Sequence, residues 1–505
     1  MGGTSCHATR SPESDFAMSR MPSVIVIGAG MSGLCMAVKL RRAGITDFTV
    51  LEKASDVGGT WRDNTYPGLR CDVPSAFYQY FFDRNPDWSH FFSAGGEIQD
   101  YFRGVADRFA LREHIELDTE VTGAEFADGR WRVRTADGRT READFLISAS
   151  GVLHHPVVPD IPGLDSFDGA WFHTARWDHS VSLADKRVGV VGTGSTGVQI
   201  ISELAGSVPK LSLFQRTPQW VLPVPNWRND RVTRALRRRF PALTRLEYRL
   251  VEGIFSILVA AVTRPGWQRT MISKLCELNL RTVRDQDLRR RLTPDYQAMC
   301  KRLVMSPSFY RAVRRPGVEV ITERIDHVEP RGVVTTDGML HEVDVLALAT
   351  GFDSHAYLRP MELVGPTGRT LSEAWAEGPR AYRTVALPEF PNLFLLMGPH
   401  SPVGNFSLVP IAEVQADYAI SWIRAWQRGE YTTAAPTSQA TDEYNARLRA
   451  AMPNTVWATG CQSWYLGKDG LPEVWPWSPH RHARMLRDRH TDEFVVDREQ
   501  EGAWR

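Results

Sequence analysis

The chain has few cysteines for its length, and they form no metal-binding pattern. Its six cysteines lie far apart among 505 residues, at positions 6, 35, 71, 276, 300 and 461. There is no CxxC pair and no other spacing typical of metal ligands. We therefore predict no metal site, and we expect all six to be free thiols in a protein of the reducing cytoplasm.

The chain also lacks an excess of charge of either sign. Its 60 Lys and Arg residues nearly balance 59 Asp and Glu residues, which gives a net charge of +1 at pH 7. Because such a chain has no general attraction for polyanions, we expect no nucleic-acid partner. The hydrophobic content of 43% is ordinary for a globular protein, and the length suits two or three domains.

Long hydrophobic runs are absent as well. The apolar run at residues 254–262 is flanked by Glu252 and Arg264 and is well short of the roughly 20 residues that span a bilayer. We interpret it as a buried helix and predict no integral membrane segment, while contact with a membrane surface stays open.

Residues 1–20 are polar and lack the apolar core of a secretion signal. We expect them to form a disordered extension, with Met21 as an alternative start.

Two glycine-rich turns of the form GxGxxG are the strongest signal in the chain. Each turn follows a short apolar strand pattern and precedes a helical pattern, the order found in dinucleotide-binding units. The glycines let backbone N–H groups approach a pyrophosphate, and the helix N-terminus offers it about half a positive charge. The residues concerned are Gly28, Gly30 and Gly33 in the first turn, and Gly192, Gly194, Ser195, Thr196 and Gly197 in the second.

The two units differ in the charge that follows their second strand. Glu52 comes 24 residues after the first glycine of one turn, and Arg216 comes 24 residues after the first glycine of the other. An acid at this position accepts hydrogen bonds from a free ribose diol, whereas an arginine matches a 2′-phosphate. The chain therefore predicts FAD in the first unit, NADPH in the second, and flavin redox chemistry.

Two similar segments indicate that one unit is nested in the other. Residues 144–151 and 344–351 each contain an acid, an apolar strand and a turn of small residues, and each closes one unit. The predicted class is α/β, with two Rossmann-like dinucleotide-binding domains and a helical insertion whose arginines mainly face solvent. The predicted division is an FAD-binding domain (21–152 and, with the C-terminal tail, 353–505), an NADP-binding domain (153–225, including a linker motif, and 301–352), and the helical insertion (226–300).

Two further motifs add to the glycine turns. Residues 58–72 have the form GGxWxxxxYPGxxxD, and residues 167–178 have the form FxGxxxHxxxWD. Together with the turns, they resemble the Baeyer–Villiger monooxygenases, class B flavoproteins, over roughly residues 22–480. Related flavin-containing monooxygenases and N-hydroxylases usually have Tyr or Phe in place of Trp177 and Asp178. That difference favours the Baeyer–Villiger branch.

The resemblance implies roles for particular residues. Arg302 corresponds to the active-site arginine and pairs with Asp72, which lies close to the flavin. Lys301 corresponds to a residue that joins Arg216 and Thr217 at the 2′-phosphate. Read without the resemblance, Asp72 would cap a turn, and the Lys-Arg pair would lie on the surface.

For the remaining motif residues, the resemblance implies binding or structural roles. Trp464 corresponds to a tryptophan on a mobile loop that closes over NADP, although simple packing is an equal alternative. His173 corresponds to a linker residue that organises the domains, so we do not expect it to be a general base. The FAD side includes Lys53, Gly59, Thr60, Trp61 and Asp72 as well as the first turn and Glu52; the linker motif includes Gly169, His173, Trp177 and Asp178.

The implied activity is the NADPH- and O₂-dependent insertion of an oxygen atom next to a ketone carbonyl, through a C4a-peroxyflavin and a Criegee intermediate, to give an ester or lactone. The expected partners are a small ketone and O₂, and the expected assembly is a monomer or homodimer. Two alternatives stay open. One is oxygenation of sulfur or nitrogen by the same fold, and the other is an uncoupled NADPH oxidase.

Overall fold

The computed structural model describes residues 21–402, 404–467 and 470–498. The extension predicted at residues 1–20 lies outside the described residues. The helices are α1 Met31–Arg42, α2 Thr60–Asp63, α3 Gly95–Arg108, α4 Ser195–Leu204, α5 Arg231–Arg239, α6 Pro241–Thr263, α7 Trp267–Leu280, α8 Gln286–Arg291, α9 Phe309–Ala312, α10 Leu371–Ala374, α11 Val409–Gln427, α12 Ser438–Ala451 and α13 Pro479–Met485.

The strands have two to seven residues each. They are β1 Val24–Ile27, β2 Phe48–Leu51, β3 Ile115–Glu116, β4 Val121–Ala127, β5 Arg130–Thr135, β6 Thr140–Ala143, β7 Phe145–Ser148, β8 Ala170–His173, β9 Arg187–Val191, β10 Lys210–Phe214, β11 Val221–Leu222, β12 Val304–Met305, β13 Val318–Ile321, β14 Ile325–Glu329, β15 Gly332–Thr335, β16 Leu340–Glu342, β17 Val345–Leu348, β18 Glu362–Val364, β19 Leu393–Leu395, β20 Thr433–Pro436 and β21 Phe494–Asp497.

Two five-stranded parallel sheets form the centre of the molecule. The first has the order β19-β7-β1-β2-β3, and the second has the order β13-β10-β9-β17-β8. In both, the strand before the glycine turn lies between the next strand of its unit and the closing strand. All four residues of β1, β7 and β17 are buried. The predicted α/β class with two Rossmann-like units is confirmed.

Each parallel sheet is accompanied by a small sheet that contains three consecutive antiparallel strands. Strands β4, β5 and β6 come before β7 in the chain, and β14, β15 and β16 come before β17. After the second unit, β18 pairs with β4, and β19 pairs with β7. The chain thus leaves the first sheet, builds the second, and returns to the first.

Helices α5 to α8 lie between the short paired strands β11 and β12. The expectation of a buried helix at residues 254–262 is wrong in part: Ile254 is 59% exposed and Ile257 38% exposed, while Phe255 and Leu258 are buried. An apolar run of this length points in all directions around a helix, and only one face of α6 reaches the core. No helix in the described ranges is long and apolar enough to cross a membrane.

The cysteines also depart from expectation. Cys300 and Cys461 form a disulfide, with their Cα atoms 6.1 Å apart across a sequence separation of 161 residues. Cys35, Cys71 and Cys276 are buried free thiols, as predicted for them. The prediction of free thiols is therefore wrong for two of the six, because the fold brings together residues that no local spacing connects.

Candidate active site

A cavity of about 770 Å³ lies where the two units meet. The turns after β1 and β9 both line it, at the carboxyl ends of the parallel strands, where open α/β sheets bind their ligands. The predicted residues that line it are Gly28, Gly30, Glu52, Lys53, Gly59, Thr60, Trp61 and Asp72 from the first unit, with Gly192, Gly194, Ser195, Thr196, Arg216, Thr217, Lys301, Arg302 and Trp464.

The third glycine of each turn lies behind the cavity wall and has a packing role. A Cβ at Gly33 would lie 1.8 Å from the carbonyl oxygen of Gly28, and a Cβ at Gly197 would lie 2.0 Å from that of Gly192. Backbone atoms cannot yield at such distances. Only glycine therefore allows the helix to begin directly against its own turn.

The middle glycines leave two helix ends open to the cavity. Gly30 caps α1 and Gly194 caps α4, and neither cap forms a side-chain hydrogen bond. Neither helix has an acidic residue in its first turn. A Cβ at Gly194 would point into empty space, so a ligand has room to approach the backbone there. Both helix ends therefore offer unpaired N–H groups and a partial positive charge to an anion.

Glu52 is held rigidly at the end of β2. Its buried carboxylate accepts hydrogen bonds from the backbone N–H of Ala29 at 2.8 Å and of Ala54 at 3.0 Å. It also pairs with Arg62 at 3.0 Å. Because a carboxylate has about four acceptor positions, this arrangement leaves one for a hydroxyl donor from the cavity.

Arg216 occupies the corresponding position in the second unit and is exposed. Within the described part of the chain it has no ion-pair partner at 4.0 Å or less. Lys301 lies nearby, with its ammonium 5.0 Å from the centre of the Tyr296 ring. Burial and the charge of Arg216 lower the pKa of Lys301. Two neighbouring cations that repel each other form a site that an anion would stabilise.

A hydrogen bond connects the segment around Arg216 to the second glycine turn. The hydroxyl of Thr193, inside the turn, donates to the carbonyl oxygen of Thr217 at 2.6 Å. This hydrogen bond fixes the segment that follows β10 relative to the start of α4. The open helix end and the two cations consequently face the same cavity.

Asp72 and Arg302 form a two-pronged ion pair between segments 230 residues apart. Arg302 Nε donates to Asp72 Oδ2 at 2.8 Å, and Nη2 donates to Oδ1 at 2.9 Å. Burial alone would raise the pKa of Asp72, but the charge and hydrogen bonds of Arg302 outweigh it and hold this pKa below its ordinary value. The pair is charged and its guanidinium plane is fixed by the fork.

Tyr465 lies beside the same guanidinium. Burial raises the pKa of Tyr465, and the nearby charge of Arg302 partly offsets this. The ring of Trp464 packs against that of Tyr465 with centroids 4.2 Å apart, and Trp464 is 41% exposed. The disulfide joins Cys300, next to Lys301 and Arg302, to Cys461, just before this aromatic pair. The segment with this aromatic pair, which lines the cavity, is thus covalently linked to the segment that carries Lys301 and Arg302.

The GGxWxxxxYPGxxxD motif connects the two units. Trp61 donates its indole N–H to the Tyr78 hydroxyl at 2.9 Å. The Tyr66 hydroxyl donates to Gln199 Oε1 at 2.9 Å, and a Cβ at Gly68 would lie 2.8 Å from the Gln199 carbonyl oxygen. The motif therefore packs directly on α4, which carries the second glycine turn.

The four predicted linker residues do not line the cavity, although Thr174 of the same motif does, and the motif supplies β8, the edge strand of the second sheet. His173 Nδ1 accepts the Ala175 N–H at 3.1 Å, so Nε2 carries the proton and donates to the Gly351 carbonyl oxygen at 3.0 Å. Burial lowers the pKa of His173, which favours the neutral ring. The histidine thus joins β8 to the turn after β17.

The other three linker residues have packing and turn contacts. A Cβ at Gly169 would lie 2.4 Å from the Asp344 carbonyl oxygen. Trp177 is buried against Phe172, with ring centroids 4.8 Å apart. Asp178 accepts hydrogen bonds from the backbone and hydroxyl of Ser180 in a local turn.

Sequence reasoning missed Gln199, Tyr465 and the disulfide. Gln199 and Tyr465 are ordinary residues of a helix and a loop, and only their contacts reveal them. One signal was available for the cysteines, since Cys300 and Cys461 each lie within three residues of a predicted site residue, Lys301 or Trp464.

Comparison with known proteins gives consistent matches. Residues 25–247 match the pyridine nucleotide-disulphide oxidoreductase family model. An uncharacterized monooxygenase of Mycobacterium bovis is 57% identical, with 95% of this chain and 97% of that protein covered. A Baeyer–Villiger monooxygenase of Streptomyces coelicolor is 41% identical, with 94% and 92% covered. A crystal structure of OTEMO in complex with FAD and NADP superposes with a TM-score of 0.84 at 28% identity, with 95% of this chain and 100% of that chain covered.

Proposed function

The chain belongs to the Baeyer–Villiger monooxygenase family, and we propose that it uses FAD, NADPH and O₂ to insert one oxygen atom next to a ketone carbonyl. The product is an ester, or a lactone when the ketone is cyclic. The observation that carries this proposal is the Asp72–Arg302 pair, because it places a fixed cation in the cavity that both glycine turns share.

The residues around the cavity fit the two cofactors. The open end of α1, with Glu52 fixed beside it, suits the pyrophosphate and the ribose diol of FAD. The open end of α4, with Arg216, Thr217 and Lys301, suits the pyrophosphate and 2′-phosphate of NADPH. When bound, NADPH supplies hydride, and FAD supplies the redox chemistry that activates oxygen.

Arg302 is the residue that we assign to the carbonyl. Addition to a ketone places negative charge on the carbonyl oxygen, and a fixed guanidinium stabilises that charge without having to reorient. Asp72 holds the guanidinium through both prongs of the fork. Asp72 is thus a positioning residue for Arg302, and its own charge adds to the electrostatics of the flavin side.

The aromatic pair Trp464 and Tyr465 limits access of water. Both residues line the cavity, and Tyr465 is buried next to Arg302. Removing water strengthens the interaction of the guanidinium with a developing oxyanion. The disulfide at Cys461 keeps this segment close to Arg302.

The test is product analysis with labelled oxygen. The FAD-loaded enzyme is incubated with NADPH, ¹⁸O₂ and a panel of linear, cyclic, aromatic and steroidal ketones, and the products are measured by mass spectrometry. We expect an ester or lactone with one ¹⁸O atom for at least one class. Hydrogen peroxide in proportion to the NADPH consumed, with no ester from any ketone, would show an oxidase. Products from thioethers or amines alone would favour the sulfur- and nitrogen-oxygenating alternative.

A further inference from the structure

The helical insertion turns an unusual amount of apolar surface outward. On α6, Leu243, Leu246, Leu250, Ile254 and Ile257 are all at least 38% exposed. Their spacing of three and four residues places them in one stripe along the helix. On the opposite side, α6 packs on the core. Soluble proteins rarely leave such a stripe uncovered without a partner.

The helices on either side of α6 repeat this pattern. Helix α5 and helix α7 both pack against α6. On α7, Trp267, Met271, Leu275 and Leu278 are exposed, again at helical spacing. On α5, Val232 and Leu236 are exposed. Phe240, directly after this helix, and Trp227, just before it, are exposed as well. We call these outward apolar residues of α5, α6 and α7, with Trp227 and Phe240, the insertion face.

The same segment is strongly basic. Residues 227–284 contain 13 Lys and Arg but only four Asp and Glu, an excess of nine positive charges in a chain whose net charge is +1. The rest of the chain is therefore net negative. Several cations of the segment have no carboxylate within 4.0 Å in the part of the chain that the structure describes; they are Arg231, Arg239, Arg245, Arg264, Lys274, Arg281 and Arg284.

We propose that the insertion face binds the surface of a membrane that contains anionic lipids. Amphipathic helices with Leu, Phe and Trp on one face and arginines beside it lie in the lipid–water interface in this way. Trp227, which precedes α5, and Trp267, the first residue of α7, belong to the residue type that prefers this interface. A second copy of the chain would bring two excesses of nine positive charges together, so charge disfavours a dimer through this face.

The insertion face lies on the outer side of a wall of the cavity. The ring of Phe77 contacts Tyr248 and Phe255 on the inner side of α6, with centroids 5.1 and 6.0 Å apart. It also contacts Phe406, at 5.0 Å, and Phe406 lines the cavity. Docking would therefore place the cavity close to the lipid. If the proposed function holds, on which this consequence rests, the substrates include apolar ketones that partition into membranes.

The test uses the FAD-loaded full chain and vesicle cosedimentation, without turnover, so that its result does not depend on the proposed activity. We expect the protein to sediment with vesicles of phosphatidylcholine and phosphatidylglycerol at low salt. We expect little binding to pure phosphatidylcholine, and weaker binding at high salt, because the attraction to the anionic lipid is screened.

Two variants separate the apolar and basic contributions. Leu246→Glu, Leu250→Glu and Ile254→Glu combined should lower the partition coefficient at least about tenfold, because charge is added to the apolar stripe. Arg231→Gln, Arg239→Gln and Arg245→Gln combined should lower it by roughly 100-fold at low salt. The matched control is Met339→Glu with Val495→Glu, which changes residues 58% and 60% exposed away from the insertion. The FAD content of each variant checks its folding.

Three results would overturn the proposal. The first is wild-type protein that stays in the supernatant with anionic vesicles at low salt. The second is a dimer in sedimentation velocity that the leucine variant dissociates while vesicle binding is absent, which would assign the face to a second copy. The third is equal binding of the wild type and the leucine variant to anionic vesicles, which would reduce the patch to a general basic surface.

Discussion

The two dinucleotide-binding units have the same strand order and the same glycine-turn pattern. The charged residue after their second strand differs in the sign of its charge, in its burial and in its hydrogen bonds. Glu52 is buried and already accepts three hydrogen bonds, whereas Arg216 is exposed and has no ion-pair partner among the described residues. The shared fold provides two similar pyrophosphate sites. We propose that the single residue beyond the strand distinguishes one ribose from the other.

The difference in hydrogen bonding follows from the chemistry of the two groups. A carboxylate can accept backbone N–H groups from its own turn and still accept a hydroxyl. A guanidinium only donates, and the glycine turn of the second unit, residues 192–197, contains no carboxylate. The first position is therefore preorganised by the protein alone. In the proposed function, the 2′-phosphate of NADPH supplies the partner that the second position lacks.

The largest effect should come from the ion pair that joins the two units. Arg302→Met should lower kcat for ketone oxygenation about 100- to 1,000-fold, because a fixed oxyanion-stabilising donor contributes about 3–4 kcal/mol. Steady-state product formation measures this. Arg302→Lys, which keeps the charge but loses the fork, is the matched variant and should recover only part of the rate. Full activity of Arg302→Met at normal FAD content would remove Arg302 from the mechanism.

A smaller effect should distinguish the second unit from the first. Arg216→Ala should weaken use of NADPH by about 2–4 kcal/mol in kcat/KM, because the 2′-phosphate loses a charge-assisted partner. The kcat/KM for NADH, which lacks this phosphate, should change little. Arg311→Ala, at an exposed arginine outside the cavity, is the control. An equal loss with both nucleotides would contradict the assignment of Arg216 to the phosphate.

The counterpart in the first unit is Glu52→Gln. An amide has one acceptor oxygen in place of two, so it cannot satisfy the Ala29 and Ala54 N–H groups and a ribose hydroxyl together. FAD affinity should fall by about 1–2 kcal/mol, as titration of the apoprotein would show. The preference of the reconstituted enzyme for NADPH over NADH should be unchanged. A change in that preference would mean that the two sites are not independent.

The smallest expected effect is a pH dependence of the free energy of unfolding, and it comes from Glu413 beside the first unit. Glu413 lies on α11, which packs against α1, and it accepts the backbone N–H of Phe81 at 2.7 Å. Burial raises the pKa of Glu413 from 4.5 to about 7. As pH rises from 4.5 to 7, the unfolded chain loses this proton first, so the contribution of Glu413 to the free energy of unfolding decreases.

Glu413→Gln should remove this dependence. The unfolding free energy of the variant minus that of wild type should increase by about 1 kcal/mol from pH 4.5 to pH 7, once solvent screening is allowed for. Urea unfolding at several pH values measures the gain. Glu443→Gln, an exposed acid on α12, is the control. Parallel pH profiles of wild type and Glu413→Gln would contradict a raised pKa.

Local patterns explain why much of the fold was predictable. Apolar, β-branched runs at residues 48–51 and 187–191 predict strands there, and these residues coincide with β2 and β9. The helical patterns after the turns predict helices at residues 34–43 and 198–204. The observed helices begin three residues earlier, at Met31 and Ser195, because the last three residues of each glycine turn already belong to the helix. The run at 254–262 is helical as predicted, but it is buried only in part, because a single face of α6 reaches the core.

The sequence by itself determined the two strand–turn–helix units, the glycine positions and the opposite charges at Glu52 and Arg216, because steric and helix-forming constraints act between residues close in the chain. Only the tertiary structure decided which distant residues meet. The Asp72–Arg302 pair and the disulfide from Cys300 depend on long-range packing. The outward stripe of α6 is equally a result of packing, since the core can cover only one face of a helix.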